Sequence, residues 1–333
     1  MATGNVLRFT TERIERMEAE RLSRISSRVS DCLSHLGRRR AFISNHPAID
    51  GEYHWVREIA HGSFCSANLI RDKKSGLELV MKIAANERAS ADYPDPLGKC
   101  SLETEIRALT RIQNPHVPKV HAHNLEADRK AAGDLDRCEL YCVMDFIEGE
   151  TLQEADPKIG LSCLFQIAIQ VSQAMEAAHI ASVCHRDITE DNILVSFGAD
   201  GAPFSTLIDF GLAKILPAGP SYPGQFGPTM IPYPSDRDPA AIRYDDMDER
   251  SDIYMLGLMI ALNAGICRGA GRIDPERVSR KDPEFRIPGE AVQVIAKAME
   301  SEPDRRFQSA HEMRMGLERA LHAIESEMTQ LRG

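Results

Sequence analysis

Hydrophobic residues recur along the first part of the chain with helical spacing. Ile14, Met17, Leu22, Ile25, Val29, Leu33 and Leu36 fall three to five residues apart, and charges fill most gaps. This is the pattern of an amphipathic helix over residues 10–37. Gly37 is a natural stop, followed by Arg38, Arg39 and Arg40. A lone helix is marginal in water, so the apolar stripe needs a surface to cover it. That surface is either the body of the same chain or a second copy or partner protein.

From Tyr53 the period changes. YHWVREIA, SANLIRD and LELVMKIA read as successive strands, with a turn at Lys73–Gly76. Tyr93–Lys99 reads as a loop, and Ser101–Ile112 as a helix carrying Leu102, Ile106, Leu109 and Ile112. Two further strands are expected around Val117–His123 and Glu139–Phe146, flanking a solvated charged insertion at Asp128–Arg137. After Gly149 the pattern turns mainly helical, with helices expected at Leu161–His179, Ser251–Ala264, Ala291–Glu300 and Ser309–Met328. Leu216–Tyr244, rich in Pro and Gly, reads as an extended loop. A strand-rich part followed by a helix-rich part predicts an α+β fold with two lobes and a cleft. The expected division is a helical extension at 1–50, a β-rich lobe at 51–146 and a larger helical lobe at 147–333.

Composition narrows the partners. The net charge of −10 over 333 residues argues against a general nucleic-acid binder. The balance is uneven, since residues 1–50 hold nine Arg against six Asp and Glu. The eight cysteines form no CxxC pair, so free thiols are expected rather than a disulfide or zinc framework. No apolar run is long enough to span a bilayer. The opening residues lack the apolar core of a secretion signal, and Glu12, Glu15, Glu18 and Glu20 argue against a transit peptide. A cytoplasmic protein is the expectation.

Three segments carry chemistry: Val80-Met81-Lys82 at the end of a strand, VCHRDITEDNILV at 183–195, and TLIDFGLAKI at 206–215. In this order they resemble the ATP-anchoring lysine, the catalytic loop and the metal-binding loop of the eukaryotic-like serine/threonine protein kinase family. The resemblance runs from about Trp55 to Ala320. It implies a bilobal kinase-like fold, ATP and Mg²⁺ as cofactors, and a protein hydroxyl as acceptor, with autophosphorylation. Asp187 is then the residue at the acceptor hydroxyl. Asn192 and Asp209 supply oxygen ligands for magnesium. Lys82 holds the α- and β-phosphates, and Glu105 is its carboxylate partner, with Glu103 a rival two residues away. Ile59, Gly62, Ala67, Val80 and Leu194 surround the nucleotide. Backbone groups of Asp145 and Ile147 meet the adenine edge, and Met144 gates a back pocket.

The family pattern is broken in three places. The phosphate-covering loop IAHGSFCSA keeps only Gly62, with Ala60 and Cys65 at the other glycine positions. Thr189 stands where serine/threonine kinases carry a lysine. The family's Ala-Pro-Glu falls near Asp238-Pro239-Ala240, so the glutamate is absent; Arg306 resembles its usual partner, and Asp236 and Asp238 are the candidates to substitute for it. The acceptor, serine/threonine or tyrosine, stays open here. Two other readings share the fold: a pseudokinase scaffold that binds nucleotide, and a small-molecule kinase of the aminoglycoside or choline type. Arg186 has two readings as well. It pairs with a phosphorylated residue between Asp209 and Ala240 (Ser221, Tyr222, Thr229, Tyr233 or Ser235, with Lys214 assisting), or it braces the catalytic loop by hydrogen bonds.

Overall fold

Alternating aliphatic and polar residues after Asp50 form three strands in succession, β1 (Tyr53–His61), β2 (Cys65–Asp72) and β3 (Glu78–Ala84). The computed structural model describes residues 51–61, 65–84, 97–125, 140–155, 159–216, 238, 240, 247–268, 272–273 and 287–332. The helix expected at 10–37, the insertion at 128–137 and most of the long loop at 216–244 lie outside the described residues. The chain divides into two units, Met1–Ala60 with Asn68–Leu79, and His61–Ala67 with Val80–Gly333.

In the first unit β1 lies beside β2, and β2 beside the start of β3. Trp55 Nε1 donates to Asn68 Oδ1 at 3.2 Å. The β2–β3 turn is built on Asp72, whose carboxylate accepts from the backbone N–H groups of Lys74 (2.9 Å) and Ser75 (2.6 Å). Gly76 closes it at φ +73°, a conformation other residues resist.

In the second unit the end of β3 runs beside β5 (Tyr141–Asp145), and β5 beside β4 (Val120–His123). Helix α1 spans Leu97–Leu109 and buries Leu102, Ile106 and Leu109. It starts before the expected Ser101, inside the stretch read as a loop. Leu97, Gly98 and Lys99 give its first turn no apolar periodicity to betray it. It also ends at Leu109, where the Thr110 hydroxyl bonds back to the Ile106 carbonyl at 2.8 Å.

The later part combines helices with small sheets that its mainly helical reading left out. β6 (Glu150–Thr151), β8 (Ile193–Phe197) and β9 (Pro203–Leu207) form a sheet in the order β6-β8-β9. The short helix α2 (Leu152–Ala155) follows β6, and the long α3 (Leu161–Ile180) precedes β7 (Val183–Cys184). β7 pairs with β10 (Lys214–Ile215). Such two-residue strands are set by tertiary pairing and carry no period of their own.

α4 (Glu249–Asn263) is buried on all sides from Ser251 to Ala261. An all-apolar helix of this kind belongs in a core. It starts from a capping box between Asp248 and Ser251. β11 (Cys267–Arg268) and β12 (Arg272–Ile273) form a hairpin. α5 (Gly289–Ala298) offers Ala291, Ile295 and Ala298 to the core, and α6 (Ala310–Arg332) offers Met313, Leu317, Ala320 and Ile324. Gly257 lets α4 approach α5, since a Cβ there would stand 2.7 Å from Ala298 Cβ.

One buried ion pair ties the segment before α4 to the turn after α5. Arg306 donates from Nη1 to Asp238 Oδ2 (2.8 Å) and from Nη2 to Asp238 Oδ1 (2.6 Å), with both side chains almost wholly buried. Its Nη1 also reaches the Arg250 carbonyl at 3.0 Å, its Nε the Glu300 carbonyl at 2.7 Å, and the guanidinium lies 4.8 Å from the Tyr254 ring centroid. Asp238, of the two aspartates considered, therefore occupies the partner position. Asp238→Ala strands a buried guanidinium, so denaturant unfolding should show a loss of about 3–5 kcal/mol.

Candidate active site

The residues HRD at 185–187 follow β7, and DFG at 209–211 follows β9. The first loop is anchored on a hidden carboxylate. Asp252 on α4 is fully buried. Its Oδ2 accepts from the His185 backbone N–H at 2.8 Å, and its Oδ1 from the Arg186 N–H at 2.7 Å. His179 Nε2 on α3 lies 2.9 Å from Oδ2. These bonds hold Arg186 at φ 66°, a left-handed conformation unusual for a side chain of its size. Asp252 lies outside the motifs that carry the family resemblance. Its signal was there: a carboxylate in an otherwise apolar helix has to be paired.

The tautomer of His185 follows from its partners. The Asp187 N–H donates to Nδ1 at 3.2 Å, so Nδ1 carries no proton. Nε2 carries it and donates to the Ile208 carbonyl at 3.0 Å. The Ile208 N–H in turn donates to the Asn192 carbonyl at 2.9 Å. Asn192 Nδ2 donates to the Asp187 carbonyl (2.8 Å) and to Asp187 Oδ2 (3.0 Å). One imidazole and one amide thus lock Asp187, Asn192 and the residue before Asp209 into a single frame.

Asp209 also lies in the left-handed region, at φ 64°, and its carboxylate accepts from the Gly211 N–H at 3.2 Å. Gly211 has little room for a side chain, because a Cβ would stand 3.0 Å from Asp209 Oδ1. Phe210 is buried, with its ring centroid 4.5 Å from that of His185 in an edge contact.

Lys82 Nζ lies 2.6 Å from Glu105 Oε1 and 4.0 Å from Asp209 Oδ1. Glu103, the rival, instead pairs with Arg107 at 2.7 Å. Burial works against the lysine's charge, but Glu105 and Asp209 outweigh it and raise its pKa above the ordinary value. Burial likewise opposes ionisation of Asp209, yet Lys82 and the Gly211 N–H hold its carboxyl below the ordinary value. Asp209 is therefore an anion at neutral pH with half its side chain exposed. Since Asn192 commits its N–H₂ group to Asp187, its Oδ1 is the atom left to accept. An amide oxygen and a carboxylate are a donor set that suits magnesium.

The other expected residues are placed as follows. Ile59 is exposed on β1, while Ala67 on β2, Val80 on β3 and Leu194 on β8 are half-buried. Gly62 lies outside the described residues. Met144 is buried in β5, and Asp145 ends that strand. Phe146 and Ile147 are half-buried, and among the described residues their backbone groups make no hydrogen bond within the chain.

Arg186 is nearly buried, and its guanidinium donates to the carbonyls of Leu212 (2.8 Å) and Ala213 (3.3 Å). These two bonds brace the loop that follows Phe210. Lys214 Nζ reaches the Met247 carbonyl at 3.3 Å. Ser221, Tyr222, Thr229, Tyr233 and Ser235 lie outside the described residues.

The protein kinase domain model matches residues 53–267. The chain belongs to that family. Among curated proteins it is 23% identical over 295 residues to a probable serine/threonine-protein kinase of Streptomyces coelicolor, covering 82% of this chain and 40% of that protein. It is 27% identical over 296 residues to the serine/threonine-protein kinase PknD of Mycobacterium tuberculosis, covering 83% and 40%. A probable serine/threonine-protein kinase of Clostridium perfringens is 28% identical over 228 residues, covering 65% and 31%. The chain thus spans less than half the length of these relatives. No described helix is long and apolar enough to cross a membrane.

The Asp252 anchor has a pH signature. Burial opposes its ionisation, but the hydrogen bonds from His179 and the Arg186 N–H outweigh this and hold its carboxyl below the ordinary value. A carboxyl depressed on folding stabilises above its unfolded value and loses that contribution as pH falls through the folded one. Asp252→Asn should therefore be clearly less stable than wild type at pH 7, with the gap narrowing below pH 3.8, as urea unfolding at each pH will show.

Proposed function

We propose that this chain transfers the γ-phosphoryl group of ATP to a serine or threonine hydroxyl of a protein, its own residues included. The observation that supports this best is the ordered charge series Glu105, Lys82, Asp209, with 2.6 Å and 4.0 Å between successive groups. A lysine clamped this way is a fixed cation for phosphate oxygens, preorganised before substrate arrives. Phosphoryl transfer needs mainly such positioning and charge stabilisation. Asp187, held by Asn192, accepts or orients the proton of the attacking hydroxyl. Magnesium bound by Asn192 Oδ1 and the Asp209 carboxylate supplies neutralisation of the phosphate charge. The backbone of Asp145 and Ile147 takes the adenine edge, and Ile59, Ala67 and Leu194 cover its faces. In this reading 51–146 is a small β-rich lobe and 147–333 a larger helical lobe. Residues 1–50 are an extension that serves stability or association rather than chemistry.

Thr189 removes the usual cation beside Asp187, which places more of the charge neutralisation on Lys82 and the metal. The test is transfer of labelled phosphate from ATP with magnesium. Label in protein serine or threonine supports the reading, label confined to added aminoglycoside or choline points to a small-molecule kinase, and no ATP binding removes it.

Asp187→Asn should cut transfer by ~10²–10⁴ while leaving ATP binding intact, since the residue acts at the acceptor. Retention of a substantial share of wild-type turnover contradicts that role. Lys82→Ala should lower turnover by ~10²-fold or more through loss of a preorganised charge. Asp209→Ala should instead raise the magnesium needed for nucleotide binding, and a magnesium titration of both variants separates the two roles.

A further inference from the structure

We propose that His121 is a positioning residue for the nucleotide, acting through Asp145. This rests on the reading of Asp145–Ile147 as the adenine edge. In β4, Val120 stands opposite Met144 and Ala122 opposite Val143, so His121 is the extra residue of a β-bulge. Bulges bend the strand and re-aim a side chain. Here the imidazole is turned onto the end of β5, with Nε2 2.6 Å from Asp145 Oδ1. An ionised carboxylate only accepts, so Nε2 is the donor.

The other groups of Asp145 are taken by the same stretch of β4. Its Oδ2 accepts from the Lys119 N–H at 2.9 Å, and its own N–H donates to the Lys119 carbonyl at 3.0 Å. Both carboxylate oxygens and the peptide N–H are therefore committed to residues 119–121. This fixes the side-chain torsion and peptide plane of Asp145, and with them the direction in which the backbone enters Phe146 and Ile147. Lys82, Asp187 and Asp209 hold their own partners and do not depend on this clasp. Loss of the imidazole should loosen the adenine edge and leave the transfer machinery in place. Both side chains are about one-third exposed, at 33% and 37%, so water partly replaces the lost bond and the effect is modest.

The experiment uses the full chain, with direct ATP titration and steady-state kinetics on wild type, His121→Ala and His121→Gln. The Ala variant should raise KM for ATP by about 3- to 10-fold, the scale of one hydrogen bond, with kcat within about twofold. Gln keeps an N–H donor and should return KM to within about twofold of wild type. Equal KM values in wild type and the Ala variant, a fall confined to kcat, or a Gln variant as weak as Ala each overturns the role. Thermal midpoints are measured alongside, and if the Ala variant does not fold, His121→Leu is read by the same criteria. Wild type that binds no ATP removes the adenine-edge reading itself, and this role with it.

Discussion

The carboxylate of Asp252 has no access to water, and taking an ion out of water is costly unless its lone pairs are satisfied. Here they are, by the N–H groups of His185 and Arg186 and by His179. The consequence is geometric as well as energetic. Two successive peptide N–H groups are turned toward one side chain, which forces Arg186 into a left-handed conformation and presents Asp187 beyond it. α4, the helix that carries Asp252, is buried on all sides. The loop that carries Asp187 is therefore fastened to a buried helix rather than to a neighbouring loop.

From that anchor the order spreads by short polar links. His185 connects the loop to Ile208, Asn192 connects Ile208 back to Asp187, and Asp209 follows Ile208 directly. Backbone strain at Arg186 and Asp209 is held in place by these links, as is common where a site must be formed before its ligand arrives. The Lys82–Glu105 pair then joins β3 to α1 beside Asp209.

Two of the three departures from the family pattern differ in kind. Asp238 keeps the function of the position it fills: the carboxylate is one methylene shorter than glutamate, yet it meets Arg306 through both oxygens in a buried fork. Thr189 keeps no charge, and among the described residues its hydroxyl makes no hydrogen bond. The first is a substitution of equivalent chemistry. The second changes what the acceptor side of the site offers.

The sequence by itself determined the order of the strands from β1 to β5, the long helices, and the identities of Lys82, Asp187, Asn192 and Asp209 as candidate residues. Strict periodicity and rigid motif spacing are properties of the local chain, so they are legible there. It favoured Glu105 over Glu103 as the partner of Lys82, and the folded position of Lys82 separates the two, since Glu103 pairs with Arg107. It did not choose between Asp236 and Asp238, or find the start of α1 at Leu97. His179 and the bulge at His121 left no mark in it, and Asp252 showed only as a carboxylate in an apolar helix whose partners were unknown. Each of those depends on which distant groups meet in the folded chain. A carboxylate on α4 becomes an anchor only when the loop after β7 is brought to it, and that meeting is made by packing rather than by sequence neighbours.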